Sequence, residues 1–127
     1  MKLGRSFLAG AMITLAATSA AHAGTKIMAT APANRTYPLA GTQQLNCSIL
    51  NANTTAKTVT VDIMDYGGTV VDTSGSLTLA PLTGITIGDG VGYVAWCRFT
   101  VDGSTKKYRA AAYYTESGIP TTAHIAK

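Results

Sequence analysis

The chain has two cysteines, Cys47 and Cys97, each in a run whose apolar residues fall on every second position. In QQLNCSIL, Leu45, Cys47 and Ile49 share a face; in VGYVAWCRFTV the odd positions Val91, Tyr93, Ala95, Cys97, Phe99 and Val101 form another apolar row. A period of two belongs to a half-buried strand, so both thiols belong to the hidden side. One pair of cysteines allows one connectivity, and a Cys47–Cys97 disulfide between two sheets is expected. Closing a loop of about fifty residues stabilises a fold by roughly 4 kcal/mol on the chain-entropy account. That is a large share of the roughly 5–15 kcal/mol by which a domain is stable.

A bridge of this kind needs an oxidising compartment, and the N-terminus points to one. Residues 1–23 combine Lys2 and Arg5, an apolar stretch from Phe7 to Ala17, and Ala21 and Ala23 flanking His22. This is the layout of a secretory signal peptide with cleavage after Ala23. The apolar stretch is too short for a membrane span, which needs about 20 residues. The expected mature protein is therefore residues 24–127, a single secreted domain in the periplasm, at the cell surface or in the medium. The formal charge of +4 falls to +2 without Lys2 and Arg5, because all six acidic residues remain. With no basic cluster beyond Lys106 and Lys107, nucleic-acid binding has little electrostatic support.

Short runs rich in Thr, Val, Ile and Tyr alternate with Gly, Asn, Asp and Pro, the pattern of an all-β antiparallel sandwich of about seven strands. KTVTVDIM places Val59, Val61 and Ile63 inward and Thr58, Thr60 and Asp62 outward. DYGG turns the chain into TVVDT, and SLTLA and TGITI are short strands around Pro81. A first strand is expected near Lys26 to Thr30, then an edge segment with Pro32 and Pro38 that covers a sheet edge or pairs with a neighbouring subunit.

The VDGS stretch reads as a two-residue hairpin turn at Asp102 and Gly103. That register sets Trp96 opposite Arg109, Arg98 opposite Lys107 and Phe99 opposite Lys106, and it turns Tyr108, Ala110, Ala112 and Tyr114 inward. The outer face would then gather Trp96, Arg98, Lys107, Arg109 and Tyr113. A guanidinium over an indole contributes about 0.5–1 kcal/mol, so the group serves either as a cross-strand packing pair or as a contact surface.

The Cys47 to Cys97 stretch resembles an immunoglobulin-type sandwich, in which two core cysteines join facing sheets. The Asp89 to Tyr93 spacing in DGVGYVAWC is similar to that fold's tyrosine corner. The Cys47…Cys97-Arg98-Phe99…Arg109-Ala110 layout also resembles small exported bacterial proteins of unassigned function. The resemblance implies a fold and no activity.

Catalytic parts are scarce. Residues 24–127 hold one histidine, His124, in the TTAHIAK tail, where fraying is expected. No G-x-S-x-G motif occurs, and Asp62 with Asp65, or Asp89 with Asp102, fall on an outward strand position and in turns rather than as a carboxylate pair. The thiols and His124 lack zinc spacing, and GDG at 88–90 offers too few oxygens for calcium. No enzyme activity, metal or cofactor is expected. Three N-x-[ST] triplets stand at Asn34, Asn46 and Asn53, of which Asn46, beside Cys47, is the least suited to modification. The leading expectation is a non-catalytic recognition module for a protein or glycan. The alternatives are an exported inhibitor acting through loops such as 65–68 or 81–90, and a self-assembling subunit of a surface filament.

Overall fold

A computed structural model describes residues 24–34, 43–89 and 94–127; residues 1–23, where a signal peptide is expected, and Pro38 and Tyr93 lie outside them. The strands are β1 (Thr25–Ala29), β2 (Ala33–Asn34), β3 (Gln43–Asn51), β4 (Lys57–Asp65), β5 (Val70–Thr73), β6 (Leu77–Leu79), β7 (Gly84–Asp89), β8 (Val94–Asp102), β9 (Tyr108–Glu116) and β10 (Ile119–Ile125). They form two antiparallel sheets. The first runs β1-β8-β4-β5, with β2 also on β8 and β6 also on β4; the second runs β10-β9-β3-β7. The count is ten where about seven were expected; β2, only two residues long, and β10, formed by the tail, are two of the strands not anticipated.

The inward rows are those the alternation predicts. Leu45, Cys47 and Ile49 of β3, Val59, Val61 and Ile63 of β4, Ala95, Cys97, Phe99 and Val101 of β8, and Tyr108, Ala110, Ala112 and Tyr114 of β9 are all buried in one core. Cys47 and Cys97 are bonded across it, with Cα atoms 5.7 Å apart.

The turn at Asp102 and Gly103 corrects the expected hairpin. β8 and β9 do not pair: β8 lies between β1 and β4, while β9 lies between β3 and β10. Both edges of β8 are occupied, so the chain leaves that sheet, makes a 3-10 turn at Thr105–Lys107 and enters the other. Gly103 takes a positive φ of 87°, but Asp102 does not, and a type I′ loop needs both. The two-residue hairpin lies instead at Ser117 and Gly118, with φ of 50° and 82°, closed by the Glu116–Ile119 pair. That hairpin returns the tail along β9 as β10, so His124 stands opposite Ala112 in a strand rather than in a frayed end.

The arch between the sheets is pinned by polar bonds. The Tyr108 hydroxyl donates to the Asp102 carbonyl at 2.6 Å. Asn51, fully buried, donates through Nδ2 to the carbonyls of Thr55, Leu79 and Ala80 and accepts from the Asn53 backbone and side-chain nitrogens at Oδ1. An amide matched on both sides can be buried without the desolvation penalty of an orphaned one. At the sandwich's side, Ala29 and Lys127 exchange backbone bonds of 3.3 Å, joining β1 of one sheet to the end of β10 in the other.

The described part of the N-terminal segment, residues 24–34, is thus paired within the chain. β1 matches β8 from Thr25↔Asp102 to Ala29↔Arg98, and β2 resumes at Ala33↔Ala95. The registers differ by one residue, and Pro32 sits in that interruption, where a missing N–H breaks no ladder bond.

Reduction of the Cys47–Cys97 bond, or its replacement by alanines, is expected to lower unfolding free energy by roughly 4 kcal/mol. Urea denaturation with and without reductant measures it, and an unchanged midpoint would contradict the crosslink's role.

Candidate functional site

The five residues assigned to one outer face do not share one. Trp96 and Arg98 lie on the outer row of β8 in the first sheet. Arg109 and Tyr113 lie on the outer row of β9 in the second, and Lys107 is exposed in the turn between them. The separation follows from the crossing at 103–107, which sends β8 and β9 to opposite layers.

Trp96 and Arg98 each have structural partners in β4. Trp96 stands opposite Met64, itself only 2% exposed, and its indole N–H donates to the Asp65 carbonyl at 3.1 Å. Arg98 stands opposite Asp62 and donates to its Oδ2 from Nε at 3.0 Å and from Nη2 at 2.9 Å, while Oδ1 accepts from the Thr73 hydroxyl at 2.7 Å. Asp62 is on the outward row, as expected, yet these partners leave it only 5% exposed. Asp65 closes the turn before β5, with Oδ1 accepting from the Thr69 backbone at 2.8 Å. Each carboxylate is therefore tied to local structure.

The second sheet presents a different outer face. Its cross-strand rows are Gly84, Leu50 and Arg109, then Thr86, Ser48, Ala111 and Ile125. Alternation turns the apolar side chains Leu50 and Ile125 toward solvent, and they are 37% and 78% exposed. Gly84 allows β7 to lie close, since a Cβ there would come within 2.5 Å of the Ile49 carbonyl oxygen. The Ser48 and Thr86 hydroxyls bond each other at 2.6 Å on the floor between them.

These rows form a groove of about 680 Å³, within the size range of about 300–1,000 Å³ common for small-molecule sites. It extends over β9 to the point where the tail departs. Ala126 still donates to the Ala110 carbonyl, but Lys127 pairs with Ala29, so Tyr108 and Arg109 are matched with β3 and have no β10 partner on their other side. Thr105, Lys106, Arg109 and Lys127 line that end, and no acidic, histidine or cysteine side chain is among the lining residues. Arg109 is held through Nη1 alone, donating to the carbonyls of Lys106 at 3.0 Å and Tyr108 at 2.9 Å. Among the described residues the one salt bridge is Arg98 to Asp62, so no described carboxylate pairs with Arg109 or Lys106.

Tyr108 closes the groove from the core side. Burial, and then the nearby Asp102 carboxylate, hold its phenol above the ordinary tyrosine range, against an opposing hydrogen bond with the Asn53 side chain. The neutral hydroxyl is the form that donates to the Asp102 carbonyl.

Sequence reasoning found Arg109 but missed Leu50, Ile125 and Lys106. The signal for Leu50 was present, since the alternation that buries Leu45, Cys47 and Ile49 must expose an apolar residue at 50. Of the three glycosylation triplets, Asn46 and Asn53 have Nδ2 engaged, with Thr115 Oγ1 at 3.1 Å and Asn51 Oδ1 at 2.8 Å. Among the described residues no group of three or more His, Cys, Asp or Glu could hold a metal ion, and no helix is long and apolar enough to cross a membrane. The turns at 65–68 and 81–83 stand at opposite ends of the sandwich, because β4 runs from a Lys57↔Leu79 pair to an Asp65↔Ala95 pair; residues 84–89 are strand. Comparison with protein-family models, with curated proteins and with solved structures finds no match to this chain.

Trp96→Ala is expected to lower stability by about 2 kcal/mol, because it removes packing over Met64 and the bond to Asp65. Urea denaturation measures this, and an unchanged midpoint would mark Trp96 as a surface residue without structural duty. For Tyr108, a folded-state pKa raised above the unfolded value keeps its full stability contribution below about pH 10 and loses it as pH rises toward the folded pKa. Thermal melts between pH 8 and 11 should fall more steeply for the wild type than for Tyr108→Phe, which itself costs about 1 kcal/mol at neutral pH.

Proposed function

We propose that residues 24–127 form a secreted, non-catalytic binding module with an immunoglobulin-like sandwich, whose ligand surface is the groove across the outer faces of β7, β3, β9 and the end of β10. The observation that carries this reading is the groove itself: a concave, largely apolar surface on rigid strands, with its basic residues gathered at one end. Arg109 is the one residue of the originally expected contact surface that lines it. Trp96 and Arg98 belong instead to the opposite sheet's packing.

A catalytic reading has less support, since the lining offers no carboxylate, imidazole or thiol. Export is supported by the crosslink, which persists in oxidising compartments, and by the signal-peptide layout. An inhibitor would have to act through one turn at a time, since 65–68 and 81–83 are at opposite ends. A filament built by strand donation would need a strand to give, whereas β1 is matched with β8 at five positions.

The test uses the mature protein and a neutral apolar dye, Nile red. Saturable capture with a blue-shifted emission is expected, abolished by Ala111→Trp, which fills the groove floor, and unaffected by Thr58→Trp on the opposite outer face. No capture, or capture indifferent to Ala111→Trp in a variant with an unchanged melting temperature, overturns the reading.

A further inference from the structure

The groove is largely apolar and is cationic at one end. The protein's two best-placed arginines make the contrast plain. Arg98 is neutralised by a buried carboxylate through two N–H groups. Arg109, on the groove, is oriented by two neutral carbonyls from a single nitrogen, which fixes the guanidinium without cancelling its charge. Lys106, on the same turn, is exposed and also lines the groove. Lys127 is a third basic residue of the lining at this end, and none of the three has a described carboxylate partner. Such a cationic end, beside a surface built from Leu50, Ala111 and Ile125, is complementary to a molecule with an anionic end and an apolar body.

The floor narrows the class further. A peptide or sugar would be read by several hydrogen-bonding groups along its length, whereas the centre of the floor offers only the Ser48 and Thr86 hydroxyls, which already spend one O–H on each other. A guanidinium fork suits the planar pair of oxygens of a carboxylate. Resting on the binding-module reading above, we propose that the ligand is a monomeric long-chain carboxylic acid, its hydrocarbon chain lying over Leu50, Ala111 and Ile125 and its carboxylate held by Arg109 and Lys106.

Displacement of bound Nile red tests the proposal, with dodecanoate, dodecanol and butyrate as competitors below their aggregation limits. Dodecanoate should displace the dye at about tenfold lower concentration than dodecanol, the scale of one charge-assisted contact, and butyrate should not displace it. The double variant Lys106→Gln, Arg109→Gln should still capture the dye but treat acid and alcohol alike. Equal potency of acid and alcohol on the wild type, a preference that survives in the double variant, or displacement by butyrate as effective as by dodecanoate each overturns the head-group assignment while leaving the groove a binding site. Binding to vesicles of anionic phospholipid through Lys106 and Arg109, undiminished by saturating dodecanoate, overturns the choice of a monomeric ligand. Absence of dye capture by the wild type removes the binding-module reading and this proposal together.

Discussion

The bond between Cys47 and Cys97 joins two interior strands, one from each sheet. β3 lies between β9 and β7, and β8 lies between β1 and β4. Because side chains alternate, a slip of either strand by one residue would carry its cysteine to the solvent face along with every apolar neighbour on its row. A covalent tie at the centre excludes such slips and settles which face of each sheet is interior. The outer faces can then diverge. One closes on itself with Trp96 over the β4 row and Arg98 on Asp62; the other retains a groove.

The interior was legible in the chain because a half-buried strand writes its burial as a period of two. Val59, Val61 and Ile63, or Tyr108, Ala110, Ala112 and Tyr114, could be assigned to the core from spacing alone, whatever strand they paired with. Pairing was not legible in the same way. Asp102-Gly103 carries strong local hairpin chemistry, and the chain turns there, but a hairpin would have required an edge of β8 that β1 and β4 already occupy. The misfit was visible in the register itself, which set the core residue Phe99 against Lys106. Ser117-Gly118 offered the weaker dipeptide signal and became the two-residue hairpin because β9 had an edge to fill.

That single difference in pairing moved the site. A face assembled from neighbouring residues across a hairpin dissolved once β8 and β9 went to separate sheets, and its members took up unlike tasks. Arg98 became half of an ion pair, Trp96 a cover for Met64, and Arg109 the border of a groove. Asn51 shows the other limit of reading by pattern. It occupies an inward position on β3 where alternation calls for an apolar side chain, and it is tolerated because five hydrogen bonds converge on its amide. Nothing in its own neighbourhood of sequence announces carbonyls that arrive from Leu79 and Ala80.

The most exposed apolar turn tips, Tyr66 and Leu82, both fall between the bonded cysteines. A protease cutting at either turn would produce a nicked molecule whose two pieces remain one covalent body, with the groove's strands still on both sides of the cut. Shedding a fragment would take reduction as well as cleavage, two events that seldom coincide outside cells.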